Sequence, residues 1–324
     1  TAETSQLAAW QARMSEYICI RSHLSHCFII AFAYMQLTDK HFLQNILSEN
    51  CIDPKKNLGQ NFLVDEQVLR DILAASTLRK ESCVLEIGPG LGVLTNELVK
   101  VAGKVVAVEL DVKFSAMLTH MFAPAENFQL FSGDVLKLSS VRMSGLLGTE
   151  QYNLVSNLPY QITSKVLRKF LEQEPKPFEM VLMVQKEVAQ RVCASAGQMS
   201  VLAVAVQLFA VPQIMRVVLR TSFYPIPDVD SALIKISHIR SNAALEQELG
   251  MELKDFFRVV SVGFSAKRKK LVNNLAAGFH VDRPKAVLWL EKAEIAPDAR
   301  AQMLSVDEWK FLARLIVGEF KFED

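Results

Sequence analysis

The chain has 324 residues, which exceeds one typical domain and predicts either two domains or one domain with appendages. Half of the residues are apolar and 22% are charged, the composition of a globular protein with a sizeable core. The formal net charge of +1 excludes a globally basic nucleic-acid binder, so any such binding must use a local patch. The five cysteines are scattered without a C-x-x-C pair, which argues against a disulfide framework or a zinc site and favours a reducing compartment.

Residues 1–50 form an N-terminal extension to which we assign no function. The longest apolar stretch, Phe28 to Leu37, covers ten residues, whereas a membrane-spanning helix needs ~20, so we expect no membrane span. Arg13, Arg21 and several serines loosely fit an organellar targeting peptide. A helical extension, or sequence derived from a vector or an upstream start site, is favoured over targeting. We expect a cytoplasmic monomer, with organellar targeting left open.

From Asp65 onwards, helix and strand patterns alternate along the chain. Asp65 is the predicted N-cap of a helix that ends near Thr77. Strands are predicted at 83–87, 104–109, 127–131, 152–156 and 179–184, with helices at 91–101 and 112–122. This alternation predicts an α/β fold with a parallel sheet covered by helices on both faces.

Two further strands, at 213–220 and 231–238, are joined by a proline-bearing loop and are predicted to form a hairpin at the sheet edge. After Ser241 only helical periodicities remain. We therefore predict an N-terminal extension over 1–50, a sheet domain over 51–242 and a small all-helical domain over 243–324.

A glycine turn follows the first predicted strand, where residues 88–92 read Gly-Pro-Gly-Leu-Gly. Such a turn lets the backbone approach a ligand closely. Glu109 lies 21 residues after Gly88 at the end of the next strand, where an acid reaches the ribose diol of a nucleoside. Asp134 follows the third strand and is equally compatible with an acceptor for an adenine amine and with a simple turn aspartate. The pattern fits a dinucleotide and S-adenosylmethionine equally well.

The end of the fourth strand distinguishes between these two cofactors, because it reads Asn157-Leu158-Pro159-Tyr160. The Asn157 side-chain oxygen and the Leu158 carbonyl can accept both N–H bonds of an exocyclic amine and localise its lone pair on nitrogen. Pro159 fixes the backbone direction, and Tyr160 offers a stacking face. Phe223 is the candidate for the opposite face, and packing within a hairpin explains it equally well. Together the residues predict methyl transfer to a base nitrogen.

In combination, these segments make the chain resemble the ribosomal RNA adenine dimethyltransferases, specifically the small-subunit enzymes of the KsgA type. The resemblance is carried by residues 56–63, 85–92, 108–109, 133–134, 157–160, 185–188, 223–231 and 263–270. It implies a Rossmann-like class I methyltransferase sheet with a small all-helical C-terminal domain. It also implies S-adenosylmethionine as cofactor and dimethylation of two adjacent adenines near the 3′ end of small-subunit rRNA, as part of ribosome biogenesis.

The same resemblance implies that Asn61 and Leu63 contact the cofactor beside Gly88, Glu109, Asp134 and Asn157, and that Gln60 joins them. Two features depart from the family pattern. The N-terminal extension of about fifty residues is not typical, and Asp228 stands where a basic residue is common, which weakens the case for RNA contact at that loop.

A basic run, Lys267-Arg268-Lys269-Lys270, is predicted to lie in a helix. A charge run is ordinarily a solvated helix face, but Asp282 is the only acid from 258 to 285, and we favour an rRNA-facing surface. We expect the small ribosomal subunit precursor as partner and no metal ion.

Other function classes stay open from the sequence. They are an adenine methyltransferase acting on large-subunit rRNA, as in antibiotic resistance, or on DNA, and a non-catalytic RNA- or DNA-binding assembly factor that keeps the fold. The intact Asn157–Tyr160 segment and Glu109 argue against a purely binding role. A nicotinamide dehydrogenase is the least favoured, because the fourth strand ends without an evident proton-relay partner.

Overall fold

The computed structural model describes residues 37–49 and 61–320, and its centre is a seven-stranded mixed sheet. The strands are β1 (Phe62–Leu63), β2 (Cys83–Ile87), β3 (Lys104–Glu109), β4 (Phe128–Ser132), β5 (Asn153–Asn157), β6 (Glu179–Gln185), β7 (Val211–Val218), β8 (Phe223–Tyr224) and β9 (Ser231–Ser237). The sheet order is β4-β3-β2-β5-β6-β9-β7, and β1 pairs with β8 in a separate antiparallel ribbon. Neighbours from β4 to β6 are parallel, whereas β9 is antiparallel to β6 and β7. The predicted Rossmann-like sheet with an antiparallel pair at its edge is confirmed.

The helices are α1 (Lys40–Glu49), α2 (Glu66–Ala75), α3 (Val93–Val101), α4 (Val112–Met121), α5 (Ser140–Leu147), α6 (Thr163–Glu172), α7 (Lys186–Val192), α8 (Val201–Phe209), α9 (Asn242–Leu249), α10 (Leu253–Gly263), α11 (Leu271–Gly278), α12 (Arg283–Lys292) and α13 (Val306–Glu319). Asp65 caps α2 as predicted, since its carboxylate accepts from the Gln67 and Val68 amides. Helix α3 begins two residues later than predicted because Gly92 has a left-handed φ of 78°. None of the helices in the described ranges is both long and apolar enough to cross a membrane.

Alternate side chains of the buried strands enter two hydrophobic clusters, one on each face of the sheet. On one face, Val84, Val105 and Val155 pack with side chains of α2, α3 and α4. On the other, Leu85 and Leu154 pack with α6, α7 and α8 and with the helices that follow residue 242. The C-terminal helices are thus held to the sheet by continuous apolar packing. The predicted boundary near residue 242 coincides with the start of α9 and stays a prediction.

The basic run is not helical, so that part of the sequence-based expectation is wrong. Residues 267–270 form the turn between α10 and α11. The Asn274 side-chain amide donates to the carbonyls of Gly263, at 2.6 Å, and Ala266, at 3.2 Å, and so holds the chain out of the helical path. Lys270 is instead the N-cap residue of α11.

Helix α1 packs against the β1–β8 ribbon. Leu43 has no exposed surface and belongs to the same hydrophobic cluster as Phe62 and Phe223. The Lys40 ammonium lies 5.4 Å from the centre of the Tyr224 ring. This helix belongs to the predicted N-terminal extension. Residues 1–36 and 50–60, which include Gln60, lie outside the described part of the chain.

Candidate active site

A cavity of about 620 Å³ opens at the carboxyl ends of β2, β3, β4 and β5. This is the edge of an open parallel sheet at which ligands bind, and the volume is that of a small-molecule site. Ten predicted catalytic and cofactor-binding positions lie in the described part of the chain. Those that line the cavity are Asn61, Leu63, Gly88, Glu109, Asp134, Asn157, Leu158, Pro159 and Tyr160; Phe223 does not.

The glycine turn brings backbone to the cavity wall. Gly88 and Gly90 have φ values of 67° and 58°, in the left-handed region that favours glycine. A Cβ on Gly88 would lie 3.3 Å from the Pro159 ring, so the absence of a side chain lets the turn approach the end of β5. The Gly88 amide donates to the Val108 carbonyl at 2.9 Å, which ties the turn to β3.

Glu109, at the end of β3, is held in a fixed orientation. Its Oε2 accepts from the Gly90 amide at 3.0 Å and its Oε1 from the Asp111 amide at 2.8 Å. Burial raises the pKa of Glu109, an effect that these backbone hydrogen bonds oppose. Because each carboxylate oxygen has a second lone pair, the group can still accept hydrogen bonds from a ligand in the cavity.

Glu86 also lines the cavity, and sequence reasoning missed it. Its side chain is 2% exposed, and the Thr95 hydroxyl donates to Oε2 at 2.6 Å. Burial raises the pKa of Glu86 to about 8, the Thr95 bond opposes this, and the nearby Glu109 charge adds to it. The available signal was an acid inside an otherwise apolar strand, two residues before the glycine turn.

Asp134 follows β4 and caps the short 3₁₀ turn Val135–Lys137, where its carboxylate accepts from the Leu136 amide at 2.9 Å. The turn aspartate expected as one alternative is therefore present. The same residue lines the cavity beside the apolar Val135 and Leu136. Its carboxylate keeps lone pairs for a ligand, so the two roles are compatible.

Asn157 and Leu158 present oxygen atoms at the end of β5. The Asn157 Nδ2 donates to the Asn61 carbonyl at 3.3 Å, which orients the amide and leaves Oδ1 as the acceptor. The Leu158 amide donates to the Met183 carbonyl at 3.2 Å. Within residues 37–49 and 61–320, the Leu158 carbonyl accepts no hydrogen bond. Two acceptors are thus available in adjacent residues at one cavity wall.

Tyr160 lines the cavity and is anchored through its hydroxyl, which lies 2.7 Å from the buried Ser231 Oγ. Burial raises the pKa of Tyr160, so its hydroxyl stays neutral. The contact with Ser231 holds the ring and its stacking face in place. Phe223 is only 2% exposed and lies in the core next to β1. The buried ring matches the alternative in which Phe223 packs in the core. Its stacking role stays a prediction, and it requires the ring to turn toward the cavity.

Asn61 and Leu63 reach the cavity because β1 is clamped to β8. The antiparallel ribbon pairs Phe62 with Tyr224 and Leu63 with Phe223. The Leu63 side chain is 3% exposed and forms part of the apolar cavity wall. Sequence reasoning alone placed these residues in a loop before α2, because a two-residue strand has no recognisable periodicity.

The cavity fits a nucleoside that carries a cationic sulfur. Glu109, Asp111 and Asp134 supply hydrogen-bond acceptors and negative charge, and Glu86 adds a carboxyl whose raised pKa keeps it protonated near neutral pH. Val135 and its neighbours supply an apolar surface for a flat base. A Cβ on Gly88 would crowd the Pro159 ring, which also lines the cavity, so a side chain there would narrow the cavity. Among the described residues, no group of three or more His, Cys, Asp or Glu side chains is arranged to hold a metal ion.

The four residues of the basic run lie away from the cavity lining. Lys267, Arg268, Lys269 and Lys270 are all exposed, and none has an ion-pair partner within the described ranges. A cluster of exposed cations without acidic partners is compatible with phosphate contacts and with a solvated turn.

Comparison with known proteins places this site in context. A family described as "Ribosomal RNA adenine dimethylase" matches residues 53–316. Ribosomal RNA small subunit methyltransferase A of Dehalococcoides mccartyi is 46% identical over 258 residues, which cover 80% of this chain and 87% of the relative. The solved 23S rRNA methyltransferase ErmE shares 25% identity at a TM-score of 0.61, with 79% of this chain and 100% of that chain covered. A dimethyladenosine transferase from Plasmodium falciparum has the same fold at 24% identity and a TM-score of 0.65, with 80% and 98% covered.

Proposed function

The chain belongs to the ribosomal RNA adenine dimethylase family, and we propose that it transfers methyl groups from S-adenosylmethionine to the N6 atoms of two adjacent adenines near the 3′ end of small-subunit rRNA. The observation that carries this proposal is the pair of adjacent acceptors, Asn157 Oδ1 and the Leu158 carbonyl, at the cavity that Glu109 also lines. The relative that is 46% identical is named for the small subunit.

The acceptors at the end of β5 activate the target nitrogen. The lone pair of an adenine amine is delocalised into the ring, which makes the amine a poor nucleophile. When Asn157 Oδ1 and the Leu158 carbonyl accept its two N–H bonds, the nitrogen moves toward tetrahedral geometry and its lone pair becomes available. Fixed dipoles of this kind act before the reaction begins, so they cost no reorganisation. Tyr160 stacks on the base, which is worth ~1–3 kcal/mol.

S-adenosylmethionine supplies, when bound, an electrophilic methyl group on a positively charged sulfur. Glu109 accepts from the ribose hydroxyls, and Asp134 accepts from the adenine amine. Gly88 admits the cofactor close to the backbone, and Asn61 and Leu63 contact it from the β1 side. These residues act by position and charge, because no strong base is needed to remove the acidic proton of the methylated ammonium product.

The decisive experiment is incubation of the protein with labelled cofactor and under-methylated small ribosomal subunits, with the modified nucleotides mapped by mass spectrometry. We expect dimethyladenosine at two adjacent positions near the 3′ end. Label in large-subunit rRNA or DNA, or no label at all, would contradict the proposal.

Asn157→Ala tests the acceptor role within the same assay. We expect loss of methylation and reduced but measurable cofactor affinity, because the Asn61 contact is lost together with Oδ1. Asn157→Asp keeps an acceptor oxygen of similar size and serves as the matched control, with partial activity expected. Unchanged turnover in the alanine variant would remove Asn157 from the mechanism.

We further propose that Lys267, Arg268, Lys269 and Lys270 contact rRNA phosphates. Neutralising Lys267 and Lys269 to glutamine removes two charges without touching the N-cap residue of α11. We expect weaker RNA binding, with a salt slope reduced by about 0.7 for each lost contact. The control neutralises Lys285 and Lys292, which pair with Glu319 and give the same change in net charge. Equal salt slopes of RNA binding for the two double variants would show that the basic run is a solvated turn without RNA contacts.

A further inference from the structure

One charged side chain of the cavity lining has no role in the chemistry described above. Lys165 lies on the first turn of α6, directly after the 3₁₀ turn Tyr160–Ile162 that ends the target-base segment. It is exposed to solvent and also lines the cavity. Its position is therefore the mouth of the cavity, on the side of Tyr160.

The charges around the cavity are divided by position. Glu86, Glu109, Asp111 and Asp134 lie at or just beyond the ends of β2, β3 and β4, whereas Lys165 follows β5. Among the described residues that line the cavity, Lys165 is the one with a positive charge. The cavity is thus acidic on the side of the glycine turn and basic at the side where the target base enters.

Local folding does not account for this lysine. A cation in the first turn of a helix opposes the helix dipole, and no acidic side chain in the described ranges forms an ion pair with Lys165. The other cations of α6 do have partners. Arg168 pairs with Glu172 at 2.7 Å, and Lys169 donates to the Leu138 carbonyl at 2.7 Å.

We propose that Lys165 binds a backbone phosphate of the RNA strand beside the target adenine and so positions that base over Tyr160. The inference rests on the proposed function, because it takes the base to enter between Tyr160 and the acceptors of β5. A lysine ammonium suits this contact, since it is a compact charge on a flexible stem that follows a phosphate through two successive methyl transfers. Inside the cavity the carboxylates of Glu109, Asp111 and Asp134 would repel the phosphate, so the phosphate stays outside.

The test compares Lys165→Met with Arg168→Met. Both variants remove one positive charge from the exposed surface of the same helix, so long-range attraction of RNA changes equally. The binding probe is a fluorescent eight-nucleotide single-stranded RNA with two adjacent adenines, titrated without cofactor at several salt concentrations. The kinetic probe is under-methylated small ribosomal subunits, and calorimetry measures the cofactor dissociation constant of each variant.

We expect Lys165→Met to weaken probe binding about 5- to 10-fold at low salt and to reduce the salt slope by about 0.7, the value for one phosphate contact on a single strand. KM for the subunits should rise while kcat and the cofactor dissociation constant change little, and Lys165→Arg should restore binding. Arg168→Met should match the wild type.

Equal salt slopes for the two methionine variants would overturn the inference, as would a Lys165→Met variant whose main defect is in cofactor affinity. The proposed function fails in a separate way, namely when the wild-type protein does not methylate the subunits. If the wild type methylates the subunits and the Lys165→Met variant behaves identically, the inference is refuted while the proposed function stands.

Discussion

Replacing Glu86 by glutamine tests whether a buried carboxyl in the cavity wall is kept protonated by the fold. The pKa of Glu86 is raised from 4.5 to about 8. Between these pH values the unfolded chain carries the ionised form while the folded chain keeps the proton. The stability of the folded state that depends on this carboxyl is therefore fully present below about pH 4.5 and is lost as the pH rises through about 8.

The size of the effect follows from the two pKa values. Each tenfold difference in proton affinity corresponds to about 1.4 kcal/mol, so the wild type should lose about 3 to 4 kcal/mol of unfolding free energy between pH 5 and pH 8 through Glu86. Glutamine keeps the shape and can accept from the Thr95 hydroxyl, but it does not ionise. The Glu86→Gln variant should thus lack this part of the pH dependence.

Urea denaturation of the cofactor-free proteins at pH 5 and pH 8 measures the difference directly. The wild type and Glu86→Gln should differ little at pH 5, and the variant should be the more stable protein at pH 8. Glu187→Gln is the control, because Glu187 is 82% exposed and pairs with Arg191 on the surface of α7; its stability should stay within about 1 kcal/mol of the wild type at both pH values. A stability difference between wild type and Glu86→Gln that is the same at both pH values would refute the reasoning.

Three further predictions concern packing and stacking. Leu43→Ala, at a position with no exposed surface, should cost about 2–5 kcal/mol in urea denaturation and weaken cofactor binding by loosening the ribbon that carries Leu63. Gly92→Ala should lower the melting temperature by several degrees, because φ is 78° and a Cβ would meet an aromatic ring, whereas Gly145→Ala in open space on α5 should be neutral or stabilising. Tyr160→Phe keeps the stacking face and should retain most activity, while Tyr160→Ala should raise KM for the ribosomal subunits by about 5- to 100-fold.

The sheet could be predicted from the sequence because its strands are short apolar runs between glycines and polar turns. The four parallel strands from β2 to β5 appear within one residue of their predicted ends. The residues singled out at or just after these ends, Gly88, Glu109, Asp134 and Asn157, all line the cavity. By contrast, eight of the nine residues of α8 (Val201–Phe209) are apolar and six are buried, so its sequence has no clear polar stripe to distinguish it from a buried strand. The β1–β8 ribbon depends on pairing between residues far apart in the chain, which no local pattern records.

At the site, the sequence could identify residues whose position is set by strand ends, but not those set by burial or tertiary hydrogen bonds. Glu109 and Asn157 are the last residues of β3 and β5, Asp134 lies two residues after β4, and all three line the cavity. Glu86 was missed because the signal it gives, an acid inside an apolar strand, does not show by itself whether the side chain lines a cavity or is paired within the core. The helical assignment of the basic run failed because the turn depends on the Asn274 side chain, which donates hydrogen bonds to the Gly263 and Ala266 carbonyls. Local helix propensity does not register such a contact.

Under the proposed function, the division of charge in the cavity lets one site bind two ligands of opposite charge. In the function proposed above, the carboxylates of Glu109, Asp111 and Asp134 on the side of the glycine turn attract a cofactor with a cationic sulfur and repel RNA phosphates, which keeps the RNA backbone at the mouth of the cavity. Only the neutral adenine then enters, which agrees with the need to reach an unpaired or flipped base. In our proposal, Lys165 binds the RNA backbone at the mouth of the cavity, outside the acidic part from which phosphates are excluded. Because burial raises the pKa of Glu86 to about 8, this carboxyl stays protonated near neutral pH and adds no charge to the repulsion among the other acids of the empty cavity.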